Sequence, residues 1–314
     1  MINSSPSPIV SICIPSYNYG HMIADAIHSV LNQTFRDFEL VIVDNASVDN
    51  TQDIVQPFLR SDRRIRYIRN VATVPMAENW NLCLRHATGR YVNILCADDI
   101  IEPTFLEKFV FVLESNPGVS IVSCGRLLVD ENVISLGSLS YADECVNIRG
   151  RSVINTCLRK GNLIVEPTSV LFRRTCAQRG FDINYRHLVD LEMWLHILEQ
   201  GDFAFIPEML CKIRQHGAQQ TKTNVANLEF IDDEFKILDD YFGKEYISIG
   251  FLERKKIRFN KAMMIYFVEK TSHNKKAIHE KIQRHYNLPL FYFLYILLRI
   301  KQVCIDIPKR YFAK

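Results

Sequence analysis

Apolar residues along the first 125 positions fall into short runs that alternate with helical patterns. The runs are almost wholly apolar, as expected of strands that are buried on both faces of a sheet. Between them apolar residues recur every three or four positions, as in residues 21–32, which indicates amphipathic helices. The alternation predicts an α/β fold with a doubly wound, mostly parallel sheet and helices on both of its faces. The predicted strands are 10–14, 39–43, 65–68, 91–95 and 119–124.

The pattern changes twice farther along the chain. Residues 126–185 are less regular and show hairpin-like alternation, and a helix over 190–200 and a short strand over 203–206 follow them. From Val225 onward the apolar spacing indicates one helix after another. The expected division is an α/β domain over residues 1–220, with halves of about 1–125 and 126–220, and a helical C-terminal region over residues 221–314.

Composition narrows the class of protein. Hydrophobic residues make up 48% of the 314 positions and charged residues 23%, so the chain can bury a substantial core. Its nine cysteines are scattered and form no Cys-x-x-Cys pair, which favours reduced thiols over a zinc ribbon or a disulfide framework. No apolar run reaches the ~20 residues of a membrane-spanning helix, and no basic residue precedes an apolar stretch near Met1. We therefore expect a cytoplasmic protein.

The net charge of +3 is distributed unevenly. Residues 251–314 hold 15 Lys and Arg against 4 Asp and Glu, whereas residues 1–250 hold 23 against 31. Such a split favours a basic surface with an anionic partner, either a nucleic acid or a phospholipid leaflet. Because no nucleic-acid-binding motif supports the first choice, we expect no nucleic acid partner.

Carboxylates follow two of the predicted strands, where ligands bind in an open parallel sheet. Asp44 ends the second strand, and Asp98 and Asp99 follow the fourth. Adjacent carboxylates suit a hard divalent cation such as Mg²⁺ or Mn²⁺, although an Asp pair could equally cap the helix predicted to open at Pro103. The chain has neither a Gly-x-Gly-x-x-Gly fingerprint nor a P-loop, which excludes the usual dinucleotide and ATP-binding motifs.

Several motifs, in order along residues 9–217, resemble those of family 2 glycosyltransferases. The resemblance implies a GT-A fold, in which a nucleotide-sugar-binding half precedes an acceptor-binding half. The segments that carry it are Val10-Ser11-Ile12-Cys13-Ile14-Pro15-Ser16-Tyr17-Asn18, Ser29-Val30-Leu31-Asn32-Gln33-Thr34-Phe35, Glu39-Leu40-Val41-Ile42-Val43-Asp44, Asn79-Trp80-Asn81, Gly89-Arg90-Tyr91-Val92 and Ala97-Asp98-Asp99.

The resemblance implies donor-binding roles for residues near these strand ends. The loop after the first strand and Asp44 would border the base and ribose of the nucleotide. Asn45 stands where many members have an Asp, so the identity of the base stays open. The residues expected to bind the nucleotide sugar are Pro15, Ser16, Tyr17, Asp44, Asn45, Asn79, Asp98 and Arg214.

A divalent metal, Mg²⁺ or Mn²⁺, is also implied. Asp98 and Asp99 stand at the acidic motif of the family, and Asp99 would hold the ion that bridges the diphosphate. Ile213-Arg214-Gln215-His216 resembles a segment that closes over the diphosphate in many members. Arg214 would bind phosphate oxygens and His216 would complete the coordination of the metal.

The catalytic base is expected at the start of the 190–200 helix. Asp190-Leu191-Glu192-Met193-Trp194 resembles the acidic motif of the family, although Val189 replaces the usual Glu. Asp190 inherits the catalytic position, and Glu192 is the alternative. Residues two apart on a helix point to different faces, so only one of them can serve a given acceptor. Trp194 is expected in the core.

The sequence thus predicts an inverting glycosyltransferase that moves a monosaccharide from a nucleotide-diphosphate sugar to a saccharide or polyprenol-linked acceptor, in cell-surface polysaccharide or glycolipid assembly. Two alternatives remain: a non-catalytic nucleotide-sugar or membrane-surface binding protein of the same fold, and a nucleotidyltransferase. A nucleotidyltransferase would normally have a glycine-rich phosphate loop, which the segment 15–20 is not.

A peripheral contact with the cytoplasmic face of a membrane is expected through residues 288–305. Residues 288–298 are apolar and aromatic, and basic residues such as Lys281, Arg284 and Arg299 flank them. An apolar stripe beside basic residues is typical of an interfacial helix. A final helix that packs on the domain, or a dimer contact, is the alternative.

Overall fold

Ten strands and ten α-helices make up the part of the chain that the computed structural model describes, residues 7–271 and 275–285. Two 3-10 helices, Pro167–Ser169 and Arg174–Ala177, flank β9. The strands are β1 Val10–Ser16, β2 Phe38–Asp44, β3 Ile65–Arg69, β4 Tyr91–Ile94, β5 Ile100–Ile101, β6 Val119–Val129, β7 Ser135–Leu139, β8 Val146–Ile148, β9 Val170–Arg173 and β10 Asp202–Arg214. The helices are α1 Ile23–Leu31, α2 Thr51–Ser61, α3 Met76–His86, α4 Phe105–Ser115, α5 Gly150–Lys160, α6 Val189–Leu198, α7 Gln220–Ala226, α8 Glu229–Phe242, α9 Phe251–Thr271 and α10 Lys275–His285.

The strands form one mixed sheet in the order β3-β2-β1-β4-β9-β6-β10-β5, with β7 added beside β6 and β8 beside β10. The predicted α/β fold is confirmed, and the first four strands are parallel as expected. Beyond β4 the sheet is less parallel than predicted, because β9 runs antiparallel to both β4 and β6. Antiparallel strands need no helical crossover, so the strand–helix alternation of the sequence carried no signal for β9.

Burial explains why these segments form strands and helices. Every residue of β2 is buried, which accounts for its nearly continuous apolar run. In α1, Ile23, Ala26, Ile27 and Val30 are buried at helical spacing against the sheet. Full burial of each larger aliphatic side chain stabilises the fold by about 1.5–3 kcal/mol. The packed sheet therefore provides a rigid base for the loops at its carboxyl edge.

The chain divides into two compact units between Lys222 and Thr223. In the second unit α8, α9 and α10 pack around their own apolar cluster, which includes Phe235, Met263 and Ile278. The described residues of the chain include no helix that is both long and apolar enough to span a bilayer.

Acidic residues of α8 pair with basic residues of α9 and α10. Asp239 binds Arg258, Glu234 binds Lys261, and the Asp232 carboxylate lies 2.5 Å from the Lys281 ammonium. Lys281, which we expected to face lipid headgroups, is thus engaged within its own unit. The segment expected to contact a membrane, residues 288–305, lies outside the described residues.

Candidate active site

The loops that follow β1 and β2 are bound to each other by hydrogen bonds. The Asn18 N–H donates to Ser47 Oγ (2.8 Å), the Val48 N–H donates to Asn18 Oδ1 (2.8 Å), and the Asn45 N–H donates to the Ser16 carbonyl (2.8 Å). Asn18 and Ala46 have φ of 59° and 61°, in the left-handed region that non-glycine residues rarely adopt. The bonds hold these residues in strained conformations, as is common at ligand-binding loops.

Gly20 lets the β1 loop approach the start of α2. A Cβ atom at this position would lie 2.3 Å from Asn50 Oδ1 and 2.9 Å from the Thr51 nitrogen, so no larger residue fits without a shift. The Gly20 N–H also donates to Asp49 Oδ2 (2.9 Å). The glycine therefore fixes the path of the loop that carries Tyr17 and Tyr19.

Three residues that the sequence placed against the nucleotide are directed into the protein. Asp44 is 0% exposed, and its carboxylate accepts hydrogen bonds from the Tyr67 hydroxyl and the Ser47 N–H. The Asn45 side chain pairs with the backbone of Val74, with its Nδ2 2.8 Å from the carbonyl oxygen and its Oδ1 2.9 Å from the nitrogen. Their polar atoms shape the loops, and their contact with a nucleotide stays a prediction.

Asn79 belongs to the same buried arrangement. Its Oδ1 accepts from Asn70 Nδ2 (3.0 Å), and a second Asn70 Nδ2 hydrogen bond reaches Asn45 Oδ1 (2.9 Å). Asn79 thus positions the loop after β3, and its contact with the nucleotide stays a prediction.

Three other predicted residues lie at the end of β1, and two of them, Pro15 and Tyr17, are accessible to a nucleotide. Tyr17 is 46% exposed, and Pro15 is half-buried. Ser16 is buried, and its hydroxyl has no hydrogen-bond partner among the described residues. An exposed aromatic ring beside a hydroxyl that lacks a partner is suited to a nucleoside, because the ring can stack on a base.

The loop between β4 and β5 gathers three groups that can bind metal. One ligand atom each of Cys96, Asp98 and Asp99 lie within 4.8 Å of one another. Burial, and then the charge of Asp98, raises the pKa of the Asp99 carboxyl. A cation in this cluster would relieve that repulsion.

Thr168 holds this loop in place. Its hydroxyl donates to Asp99 Oδ2 (2.5 Å) and accepts from the Cys96 N–H (3.1 Å). The other Asp99 oxygen accepts from the Arg214 N–H (2.9 Å), where β10 ends. Asp99 is therefore tied to two other elements of the fold, and its remaining lone pairs are available to a metal.

We expect Thr168→Val to lower the free energy of unfolding by about 1–3 kcal/mol, because it leaves a buried donor and a buried acceptor without their partner. Chemical denaturation measures the change. Thr168→Ser keeps the hydroxyl and should lose much less. Equal loss in both variants would show that the hydroxyl bridge is not what holds the loop.

Arg214 and His216 lie where the sequence placed them, beside the acidic loop. His216 Nε2 is 2.8 Å from Asp98 Oδ2, and the His216 ring packs edge-on against Tyr19 at 5.9 Å. Arg214 is 2% exposed, its Nη2 lies 2.8 Å from Asp25 Oδ2, and its Nε has no hydrogen-bond partner among the described residues. A buried guanidinium with a donor to spare, next to carboxylates, suits the oxygens of a phosphate.

These residues fit a divalent cation. Two carboxylates and a thiol converge in the β4–β5 loop, and the His216 imidazole at the end of β10 is hydrogen-bonded to one of the carboxylates. Oxygen ligands of this kind suit Mg²⁺ or Mn²⁺, which commonly keep waters and take phosphate oxygens as further ligands. Asp98, Asp99 and His216 are the residues that would hold such an ion.

Asp190 lies in the first turn of α6. Its Oδ1 accepts from the Leu191 N–H (2.7 Å), and Asn162 Nδ2 lies 3.4 Å from its Oδ2. Burial raises the pKa of Asp190 to about 7, and the negative charge of Glu166 adds to the increase. A carboxylate with this pKa is suited to accept a proton near neutral pH.

Glu166 pairs with Arg126 of β6, whose Nε lies 2.6 Å from Glu166 Oε2. The negative charge of Glu166 helps to raise the pKa of both Asp99 and Asp190, although burial is the larger cause for each. Glu166 therefore acts electrostatically on one proposed metal-binding acid and on the proposed base.

Glu192, the alternative base, has a different environment. It is buried, and its Oε1 lies 2.8 Å from Arg179 Nη1 in a paired contact with the guanidinium. Both carboxylate oxygens are bonded by this guanidinium, which leaves Glu192 less available to an acceptor hydroxyl. The structure favours Asp190, and the assignment of the base stays a prediction. Trp194 is fully buried, as expected.

Sequence reasoning did not find several residues of the site. Glu166 and Thr168 belong to Glu166-Pro167-Thr168-Ser169, a segment rich in turn-forming residues. Nothing in its sequence indicates that it lies beside the distant acidic loop. Asp25 lies on the outer face of α1, where an acid normally faces solvent. Cys96 immediately precedes the Ala97-Asp98-Asp99 motif and could have been noticed as a possible ligand.

Comparisons with known proteins bear on the family and the fold of the chain. A sequence profile described as Glycosyl transferase family 2 matches residues 11–181. A glycosyltransferase of Haemophilus influenzae, itself uncharacterized, is 27% identical over 285 residues, which are 86% of this chain and 84% of that protein. TuaG of Bacillus subtilis, named for teichuronic acid biosynthesis, is 33% identical over 204 residues, 63% of this chain and 75% of TuaG.

A solved structure extends the comparison to the fold. The mannosyltransferase PcManGT from Pyrobaculum calidifontis, in complex with GDP-Man and Mn²⁺, superposes with a TM-score of 0.59 at 18% identity. The match covers 96% of this chain and 82% of PcManGT. The GT-A fold implied by the sequence is confirmed. Because the family profile matches more than half of this chain, the chain belongs to glycosyl transferase family 2.

Proposed function

We propose that this glycosyltransferase moves a monosaccharide from a nucleoside-diphosphate sugar to an acceptor hydroxyl with inversion at the anomeric carbon. The observation that carries the proposal is the presence of two acidic centres in the same compact unit, both influenced by the charge of Glu166. One is the Cys96–Asp98–Asp99 cluster with His216 bonded to Asp98, and the other is Asp190 with a pKa of about 7. The first suits a diphosphate leaving group and the second suits an acceptor hydroxyl.

The donor binds along the carboxyl edge of the sheet in this proposal. The Tyr17 ring stacks on the base, and the Ser16 hydroxyl bonds the nucleoside. Asp98, Asp99 and His216 hold Mg²⁺ or Mn²⁺, which would supply a Lewis acid for the diphosphate oxygens. Arg214 donates from its Nε to a phosphate oxygen, while Asp25 keeps its guanidinium oriented. The GDP-Man in the PcManGT complex supports a nucleotide-sugar donor.

Asp190 acts as the general base. The acceptor oxygen attacks the anomeric carbon from the face opposite the diphosphate, its proton passes to Asp190, and the bond from carbon to the phosphate oxygen breaks. The requirement for one carboxylate behind the attacking oxygen is the same as in inverting hydrolases. No protein acid is needed on the leaving side, since the diphosphate leaves as an anion.

The acceptor belongs to cell-surface polysaccharide or glycolipid assembly, and a saccharide or polyprenol-linked glycan is the expected class. The teichuronic acid role in the name of TuaG supports this assignment. An acceptor on a lipid carrier would place the enzyme in the cytoplasm, at the inner face of the membrane. This location and the membrane contact through residues 288–305 are parts of the proposal.

The pH dependence of turnover follows from Asp190. A general base must be ionised, so we expect kcat to rise with pH through about 7 and to level off above it. Asp190 contacts the Leu191 N–H and the Asn162 amide, and the charge of Glu166, which pairs with Arg126, adds to the increase in its pKa. Removing the Glu166 charge should lower the pKa of Asp190, so Glu166→Gln should shift the rise to lower pH. A profile that is flat, or that falls across this range, would contradict the assignment.

A thermal-shift screen of nucleotide sugars with Mn²⁺ tests the proposed donor class. A donor that binds only the folded state raises the free energy of unfolding by about 2.7 kcal/mol when its concentration is a hundredfold above Kd, and the melting temperature rises accordingly. We expect uridine and guanosine diphosphate sugars to be discriminated from each other, and EDTA to abolish the shift. A panel in which no nucleotide sugar shifts the melting temperature would contradict the proposal.

A further inference from the structure

We propose that Cys96 is a ligand of the divalent cation, so that this site binds thiophilic ions such as Cd²⁺ or Co²⁺ more tightly than an all-oxygen site would. The inference deepens the proposed function and rests on its metal site. Its chemical class is a mixed sulfur, oxygen and nitrogen centre.

The distances allow a common ion. Two ligand atoms on opposite sides of one ion lie about 4.5 Å apart, which is the sum of a metal–sulfur and a metal–oxygen bond length. Ligand atoms of one ion cannot be farther apart than this. The ligand atoms of Cys96, Asp98 and Asp99 lie within 4.8 Å of one another, so a shift of a few tenths of an ångström brings them to one ion. His216 is hydrogen-bonded to Asp98, with Nε2 2.8 Å from Oδ2, and would need a side-chain shift to become a fourth ligand.

The position of Cys96 differs from that of the cysteines in the sheet. Cys13 donates to the Cys83 carbonyl (3.6 Å), and Cys124 and Cys211 contact each other between β6 and β10 (Sγ to Sγ 3.8 Å). The thiols of Cys13, Cys124 and Cys211 are fully buried in the sheet, where a thiol acts as a small apolar side chain. Cys96 is half-buried and lies in the acidic loop, with its backbone N–H fixed by Thr168.

The types of ligand in this cluster predict which metal ions it prefers. Carboxylates alone favour Mg²⁺ and Mn²⁺, whereas a thiolate favours softer ions, and an imidazole suits ions in between. When the metal–sulfur bond forms, the thiol releases its proton to solvent, so binding also depends on pH. Cys96 therefore shifts the metal preference of this site toward softer ions than carboxylates alone would bind.

Cadmium is the probe for the test. Cd²⁺ is titrated into the 314-residue chain, and the thiolate-to-metal charge-transfer absorbance is recorded together with calorimetric affinities for Cd²⁺ and Mn²⁺. We expect the parent to show a charge-transfer band that disappears when excess Mn²⁺ displaces Cd²⁺. We expect Cys96→Ser to bind Cd²⁺ about tenfold or more weakly, because loss of a direct ligand should cost at least as much as loss of a partner outside the ligand sphere. Cys145→Ser, which removes an exposed thiol, is the matched control and should keep both the displaceable band and the affinity.

A second variant separates loss of the ligand from damage to the loop. Cys96→Asp replaces sulfur by oxygen, so it should lose the band and bind Mn²⁺ at least as tightly as the parent. Identical bands and Cd²⁺ affinities in the parent and Cys96→Ser would overturn the inference while leaving turnover with Mn²⁺, and hence the proposed function, intact. A Cys96-dependent band in a protein that turns over no nucleotide sugar would instead refute the proposed function alone.

Discussion

Asp190→Asn is expected to lower kcat by about 10²–10⁴-fold, the usual contribution of a general base. The amide keeps the shape and the burial of the side chain but cannot take a proton from the acceptor. Donor affinity should change little, because the residues proposed to bind the donor lie on other elements, at the ends of β1, β4 and β10. Steady-state rates and the Kd of the nucleoside diphosphate, measured on the same preparation, separate the two effects.

Glu192→Gln is the control for this prediction. The substitution weakens the pair with Arg179 and should reduce stability more than turnover, because Glu192 is held in an ion pair. A larger loss of kcat in Glu192→Gln than in Asp190→Asn would move the base to Glu192.

Asp98→Asn is expected to weaken metal-dependent binding of a nucleoside diphosphate by at least about 100-fold, since loss of a direct ligand exceeds the 10–100-fold cost of losing an outer partner. Asp98 is chosen because its substitution leaves intact the hydrogen bonds that Thr168 and Arg214 make to Asp99. Calorimetric titration of the nucleoside diphosphate with and without Mn²⁺ measures the effect.

Two further variants define the specificity of that result. Asp99→Ala should also abolish metal-dependent binding, but it leaves two buried donors without their acceptor and is expected to lower the melting temperature as well. Asp49→Asn, near the β1 loop but outside the cluster, should leave metal-dependent binding within a factor of a few. If Asp98→Asn bound the nucleoside diphosphate with Mn²⁺ as tightly as the parent does, or if EDTA did not weaken binding by the parent, the metal assignment would be wrong.

Much of the fold could be predicted because its signals are local. The apolar runs that become β1, β2 and β4 are buried on both faces, and the helices between them carry apolar faces at helical spacing. Strand β9 could not be predicted in the same way. Its four residues join the sheet through pairing with β4 and β6, which are distant in sequence, and long-range pairing leaves no periodic pattern.

The candidate site shows the same limit. Asp98, Asp190, Arg214 and His216 could be named from motifs, and the structure brings Asp98, Arg214 and His216 together. The hydrogen bonds of Asp44 within the protein could not be foreseen, because an acid at a strand end can bond a ligand, its own loop or both. Its contacts with Tyr67 and Ser47 arise from the fold and leave no mark in the local sequence.

The most direct measurement of the central claim is the release of nucleoside diphosphate from a panel of uridine and guanosine diphosphate sugars, with Mn²⁺ and a bacterial lipid extract as the acceptor source. The account predicts release from at least one donor, its loss in EDTA, and a decrease of about 10²–10⁴-fold in Asp190→Asn. Release that is equal in the parent, in EDTA and in Asp190→Asn, or no release from any donor of the panel, would contradict it.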